Sequence, residues 1–182
     1  MTMPPLYARV MGADFAALPP LVRIIHEVEG DTGAAGEGWV ERGRNIIARA
    51  MAGIGGFPPS GAYPLHVAFA EAAGRERWTR DFGGHRFSSE LSGRPGLVIE
   101  RFGAMRFGFA LPAGPDGLVM RLRRWSVFGV RLPLFLAPRV SAREWEEEGR
   151  FRFDVRLSFP LIGGIVHYWG WLKPLPRSGS CR

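Results

Sequence analysis

A chain of 182 residues with 46% hydrophobic content is long enough for one domain with a proper core, and its composition is that of an ordinary soluble globular protein. The net charge of +7 raises nucleic acid as a partner, but a nucleic-acid footprint gathers basic residues on one face, whereas here arginines alternate with apolar residues in nearly every candidate strand. No uninterrupted apolar run approaches the ~20 residues of a membrane helix, and Cys181, the only cysteine, excludes an internal disulfide.

The N-terminal segment, residues 1–28, reads as helical. Pro4 to Met11 gathers Leu6, Tyr7, Val10 and Met11 on one side, Gly12 stops it, and Leu21 to His26 restarts after Pro19 and Pro20. The first twenty residues lack a basic region followed by an apolar run, which argues against a signal peptide and makes the cytoplasm the expected compartment. Residues 29–36 read as a turn and Glu37 to Arg42 as a glycine-rich strand. Over residues 44–54, Ile46, Ile47, Ala50, Met51 and Ile54 share one side of an amphipathic helix while Arg44, Asn45 and Arg49 face away. Gly55 and Gly56 end it.

Residues 65–172 read as one antiparallel meander of nine strands separated by glycine, proline and aspartate turns. Its clearest member is Phe151 to Phe159. There Phe151, Phe153, Val155, Leu157 and Phe159 alternate with Arg152, Asp154, Arg156 and Ser158, the period of a half-buried strand. The run from Gly129 to Pro138 is apolar but broken by Pro133, and reads as a loop or short helix over one end. Nine or ten strands are too many for a flat sheet of this length, and closing the sheet removes its edges. The expected fold is therefore mainly β: a curved or closed antiparallel barrel in the lipocalin and fatty-acid-binding style, capped by the 44–54 helix. A helix-grip sheet is the alternative, but it normally ends in a long helix, and this chain ends in a strand and a flexible tail, residues 174–182.

Glu76 to Leu91, Glu100-Arg-Phe-Gly103, and Phe151 to Val155 leading to Pro160-Leu-Ile-Gly163 and Tyr168-Trp-Gly-Trp-Leu172 resemble a bacterial family, the domain of unknown function catalogued as 4166. Leu18 to Arg23, Glu41-Arg-Gly43 and Gly56 to Pro59 fit it too, so the resemblance covers nearly the whole chain. It implies a single domain and, because such domains often accompany Rossmann-type dehydrogenases or epimerases, a partner of that kind. It brings no catalytic residues. No G-x-G-x-x-G follows a strand, so the chain itself is not expected to bind NAD or another cofactor.

Arg80 is the leading candidate for a site, since it shares a strand face with Trp78 and Phe82. Were that face inward, an unpaired cation there would cost several kcal/mol, so a carboxylate must accompany it, from the protein or from a ligand. Glu100, in phase with Val98 and Phe102, is the protein's own candidate, and a purely structural ion pair is the competing reading. Arg101 and Trp125, the latter beside Arg123 and Arg124, complete the expected ligand-binding set. His167 and Glu100 are the candidates for proton transfer, although His167 alternates with its neighbours in a way that leaves its face open. Metal binding is not expected, because the four histidines have no ligand spacing. The acidic run Glu144 to Glu148 reads as a solvated strand end. Three functions follow: a module binding a small apolar or amphipathic, carboxylated molecule; a cofactor-independent isomerase, cyclase or epimerase-like enzyme using the same cavity; or an accessory docking on a dehydrogenase through Trp169 and Trp171. The sequence leaves catalysis undecided between them.

Overall fold

The computed structural model describes residues 3–176, so Cys181 and the end of the expected tail lie outside the described residues. The described residues form three short helices and twelve strands, in chain order α1 (Leu6–Met11), α2 (Pro20–His26), β1 (Asp31–Arg42), α3 (Ile46–Ile54), β2 (Gly61–Ala72), β3 (Arg75–Phe82), β4 (His85–Arg94), β5 (Leu97–Phe102), β6 (Met105–Ala110), β7 (Ala113–Gly114), β8 (Gly117–Val127), β9 (Val130–Leu132), β10 (Arg139–Glu147), β11 (Arg150–Phe159) and β12 (Gly163–Pro174). Among the described residues no helix is long and apolar enough to cross a membrane.

Chain neighbours pair antiparallel from β1 to β6 and on to β8, and from β10 to β12, while β12 returns to pair with β1. Three residue pairs between β8 and β10, Leu118 with Glu144, Val119 with Arg143 and Met120 with Ala142, complete the circle. The result is a closed barrel of ten antiparallel strands, the architecture expected. Side chains just fill a barrel of eight strands, so ten leave room inside.

Several elements extend beyond the sequence reading, among them β2, which starts at Gly61, and β12, which runs to Pro174, the first residue of the expected tail; two differ most. β1 begins at Asp31, inside the stretch read as a turn, and pairs along its length with β2 and β12. Its glycines are there because the wall is tight: a Cβ on Gly38 would come within 2.6 Å of the Phe82 ring. The apolar run after Gly129 adds the small strand β9, hydrogen-bonded to β8, before a 3₁₀ turn at Leu134–Leu136.

One end of the barrel is plugged. Leu6 and Tyr7 of α1, Phe15 of the 3₁₀ turn after it, and Val22, Ile25 and His26 of α2 are all buried there. The Leu21 amide donates to Glu146 of β10 at 2.9 Å, and the Arg9 guanidinium donates to the Gly74 carbonyl at 2.8 Å, tying the plug to β10 and to the β2–β3 turn. At the opposite end lies α3, capped by Asn45, whose Oδ1 accepts from the Ala48 amide at 2.7 Å while its Nδ2 donates to the Ile162 carbonyl at 2.8 Å. The helix rests on the barrel through Ala48 and Ala52, with Met51 half-buried. Only small side chains fit this contact, since the Ala48 methyl already lies against Gly43. The isoleucines of the apolar stripe point outward.

Candidate functional site

The inward parity of the wall is set by the same alternation that made the strands. Glu76, Trp78, Arg80 and Phe82 of β3, Phe87 and Ser89 of β4, Val98 and Glu100 of β5, and Phe151, Phe153, Val155 and Leu157 of β11 face the interior. A cavity of about 400 Å³ opens at the α3 end, lined chiefly by Phe87, Phe102, Phe107, Val155, Leu157 and Tyr168. A second chamber of about 90 Å³ lies nearer the plug, bordered by Tyr7, Trp78, Glu144 and Phe151. Arg80, Glu100 and Tyr168 border both spaces, so they form a polar floor between them.

Arg80 is held from several sides. Its Nη1 donates to the Ser89 hydroxyl at 3.1 Å, its Nη2 lies 3.7 Å from Glu100 Oε1, and the guanidinium carbon sits 5.5 Å from the Trp78 ring and 5.6 Å from that of Phe87. The ion pair satisfies the requirement that a cation so placed find an anion. At 3.7 Å it is a looser contact than a direct hydrogen bond, and the guanidinium has further donors to offer. Burial pushes the Tyr168 phenol up to about 12, with Arg80 opposing and Glu100 adding to the rise, so it stays a neutral donor at physiological pH.

Beneath the floor is a buried polar cluster. His26 Nε2 and Glu144 Oε2 are 2.6 Å apart, and the Trp78 indole donates to Glu76 Oε2 at 2.9 Å. The Tyr7 and His26 rings lie 3.8 Å centre to centre. Burial raises the pKa of Tyr7 well above the ordinary phenol value, helped by Glu144 and Glu76, and burial likewise raises that of Glu76 against the opposing hydrogen bond from Trp78. The Tyr7 hydroxyl, His26 Nδ1 and Glu76 Oε1 have no hydrogen-bond partner among the described residues.

The family model described as Domain of unknown function (DUF4166) matches residues 18–172. The chain belongs to this family. The span shared with DUF4166 takes in α2, α3 and the barrel wall up to Leu172, including Arg80, Glu100 and Glu144, whereas Tyr7 of the plug precedes it. No curated protein matches the chain in sequence.

Of the residues singled out in the sequence, Trp78, Arg80 and Phe82 line the interior and Glu100 joins them. Three others lie elsewhere. Arg101 points outward from β5 and pairs with Glu90 at 3.7 Å, because odd and even positions of a strand take opposite faces. Trp125 is buried but donates its indole N–H to the Pro133 carbonyl at 3.0 Å, which holds the β9 loop against the wall and lines neither space. His167 is on the outer face, with Nε2 2.8 Å from Asp154 Oδ2 and its ring 4.3 Å from that of Trp169, so it has no access to the cavity. Glu144 corrects the reading of its acidic run as wholly solvated: its parity is that of Val140 and Ala142, which face inward. The same parity signal marked Glu76 in phase with Trp78 and Arg80. Among the described residues no three His, Cys, Asp or Glu side chains gather as a metal set.

Proposed function

We propose that the barrel is a binding module for a largely apolar molecule with one polar end. The observation that carries this reading is the open cavity of about 400 Å³, apolar except for the Arg80, Glu100 and Tyr168 floor. That volume falls in the roughly 300–1,000 Å³ range of small-molecule sites, and a few convergent polar groups in an apolar cleft are what orient such a ligand. An end that both donates and accepts, a hydroxyl or a protonated carboxyl, suits the floor best, since it can donate to Glu100 and accept from Arg80. An ionised carboxylate finds Arg80 already neutralised by Glu100, and two carboxylates beside one guanidinium repel each other.

The two competing readings have less to rest on. Proton transfer loses His167, which lies outside, and keeps Glu100 only as a group engaged with Arg80. Docking on a dehydrogenase through Trp169 and Trp171 requires a free aromatic face, but Trp169 stacks between His167 and Trp39, and Arg150 covers Trp171 at 4.4 Å.

Titration with fluorescent fatty-alcohol and fatty-acid analogues of equal chain length tests the proposal. Both are expected to saturate one site, and Glu100→Gln is expected to tighten the acid while leaving the alcohol nearly unchanged. Leu157→Trp, which fills the cavity, should abolish both without lowering the melting temperature. Failure of either analogue to bind the parent protein, or undiminished binding by Leu157→Trp, refutes the assignment.

A further inference from the structure

The cavity mouth is bordered by side chains that a solvent-facing surface would not select. Among the described residues, nine of the thirteen exposed large hydrophobic side chains lie on α3, the β8–β9 turn and the first residue of β9, the 3₁₀ turn after β9 and the β11–β12 turn, all at this end. Ile46 is 83% exposed, Ile54 89%, Phe128 86% and Phe135 77%. Phe128 and Leu161 hold their turns at φ +49° and +68°, a conformation in which glycine or asparagine would be less strained, so bulky apolar side chains stand at the two tips despite the local cost. α3 repeats the pattern by spending its alanines on the barrel and its isoleucines on the outside.

In four of the segments that form this rim the charges all have one sign, while Glu41 at the end of β1 and Asp81 before the β3–β4 turn face outward and pair with His167 and Arg86. Residues 43–60, 103–106, 127–139 and 159–164 contain no aspartate or glutamate, although the chain has 17 in all. They do contain Arg44, Arg49, Arg106, Arg131 and Arg139, all exposed and none in an ion pair among the described residues. An apolar patch of this kind marks a contact surface, and its occupant must tolerate or attract a ring of arginines. A second copy of the same face would oppose arginine to arginine.

We infer that the mouth docks on the surface of an anionic lipid bilayer, with the isoleucines, phenylalanines and leucines entering the headgroup boundary and the arginines meeting lipid phosphates. Shallow insertion of apolar side chains combined with attraction to anionic lipid is how monotopic surfaces bind, and each arginine near such a leaflet strengthens binding by roughly fivefold. The docking is independent of what the cavity holds, although it places the opening against the phase in which an apolar ligand dissolves.

Flotation of the full chain with vesicles of phosphatidylcholine alone, and of phosphatidylcholine and phosphatidylglycerol in equal parts, tests this. Binding is expected to the mixed vesicles only, to weaken with added salt, and to fall at least tenfold in Ile54→Asp and Phe135→Asp with their melting temperatures unchanged. Val119→Asp, at an exposed apolar position on the wall, is expected to bind as the parent does. Absence of binding to the mixed vesicles, equal binding to both kinds, or equal loss in Val119→Asp overturns the inference. A stable dimer that Ile54→Asp and Phe135→Asp dissociate also overturns it, by assigning the face to a second copy.

Discussion

His26→Leu isolates the energetics of the plug. The imidazole is 0% exposed and its Nε2 sits 2.6 Å from Oε2 of Glu144, a residue only 7% exposed. Leucine keeps the space filled but leaves the Glu144 carboxylate without its donor. Removing one member of a buried pair costs about 3–5 kcal/mol. Against that, His26 Nδ1 is already buried without a partner, and deleting it relieves about 1–3 kcal/mol. The net loss is about 2 kcal/mol, which in a domain of this size lowers Tm by about 4–8 °C. Glu144→Leu strands the imidazole instead, at a cost of about 1–3 kcal/mol. In His26→Leu/Glu144→Leu neither polar group remains, so the double variant should be more stable than the sum of the singles predicts, by at least about 1 kcal/mol. Urea unfolding of all four proteins measures the cycle. Strict additivity, or single costs below about 0.5 kcal/mol, would refute the claim that these two side chains are each other's solvation.

Two pH-dependent outcomes follow from the other buried groups. Because burial raises the folded-state pKa of Glu76, the native protein holds that proton more tightly than the unfolded chain, and the group's penalty on stability grows as pH rises from the unfolded value of about 4.3 through the raised folded value. Glu76→Gln, which keeps an acceptor for the Trp78 indole, should therefore be more stable than the parent at pH 7 and converge with it in acid; an unchanged difference between the two conditions would count against the buried carboxyl. Tyr7 and Tyr168 are both raised, the latter to about 12, so between the unfolded phenol value of about 10 and about 12 the unfolded chain loses protons that the native protein keeps, and stability falls across that window. Tyr168→Phe should lessen the alkaline loss, as read from melting temperatures along a pH series.

The barrel was legible because its wall has one wet face. In β11 each phenylalanine inside is separated from the next by a charged or polar residue outside, and Arg80 could be placed among Trp78 and Phe82 by the same count. Periodicity fixes which residues share a side and leaves open what that side meets. The isoleucines of α3 form the stripe that sequence implies, yet it is the alanine side that touches the barrel. His167 shares a side with Trp169 and Trp171, and nothing in the pattern distinguishes that side from the one bearing Tyr168. Glu144 was hidden by its company, since Glu146, Glu147 and Glu148 surround it with charge. The partner that makes its burial tolerable, His26, comes 118 residues earlier, a pairing no local pattern encodes.

The short ladder between β8 and β10 makes the ring uneven in strength. It has three residue pairs, whereas β11 and β12 share nine, and Gly117 at its edge presses so close to the Glu144 carbonyl that no side chain fits between them. Where fewest bonds must break, local opening is easiest, so any widening of the barrel begins at this joint. α2 grips β10 on that side, through Glu146 and through His26 on Glu144. Loosening the plug would thus weaken the seam that closes the ring, although α2 is itself no part of the wall.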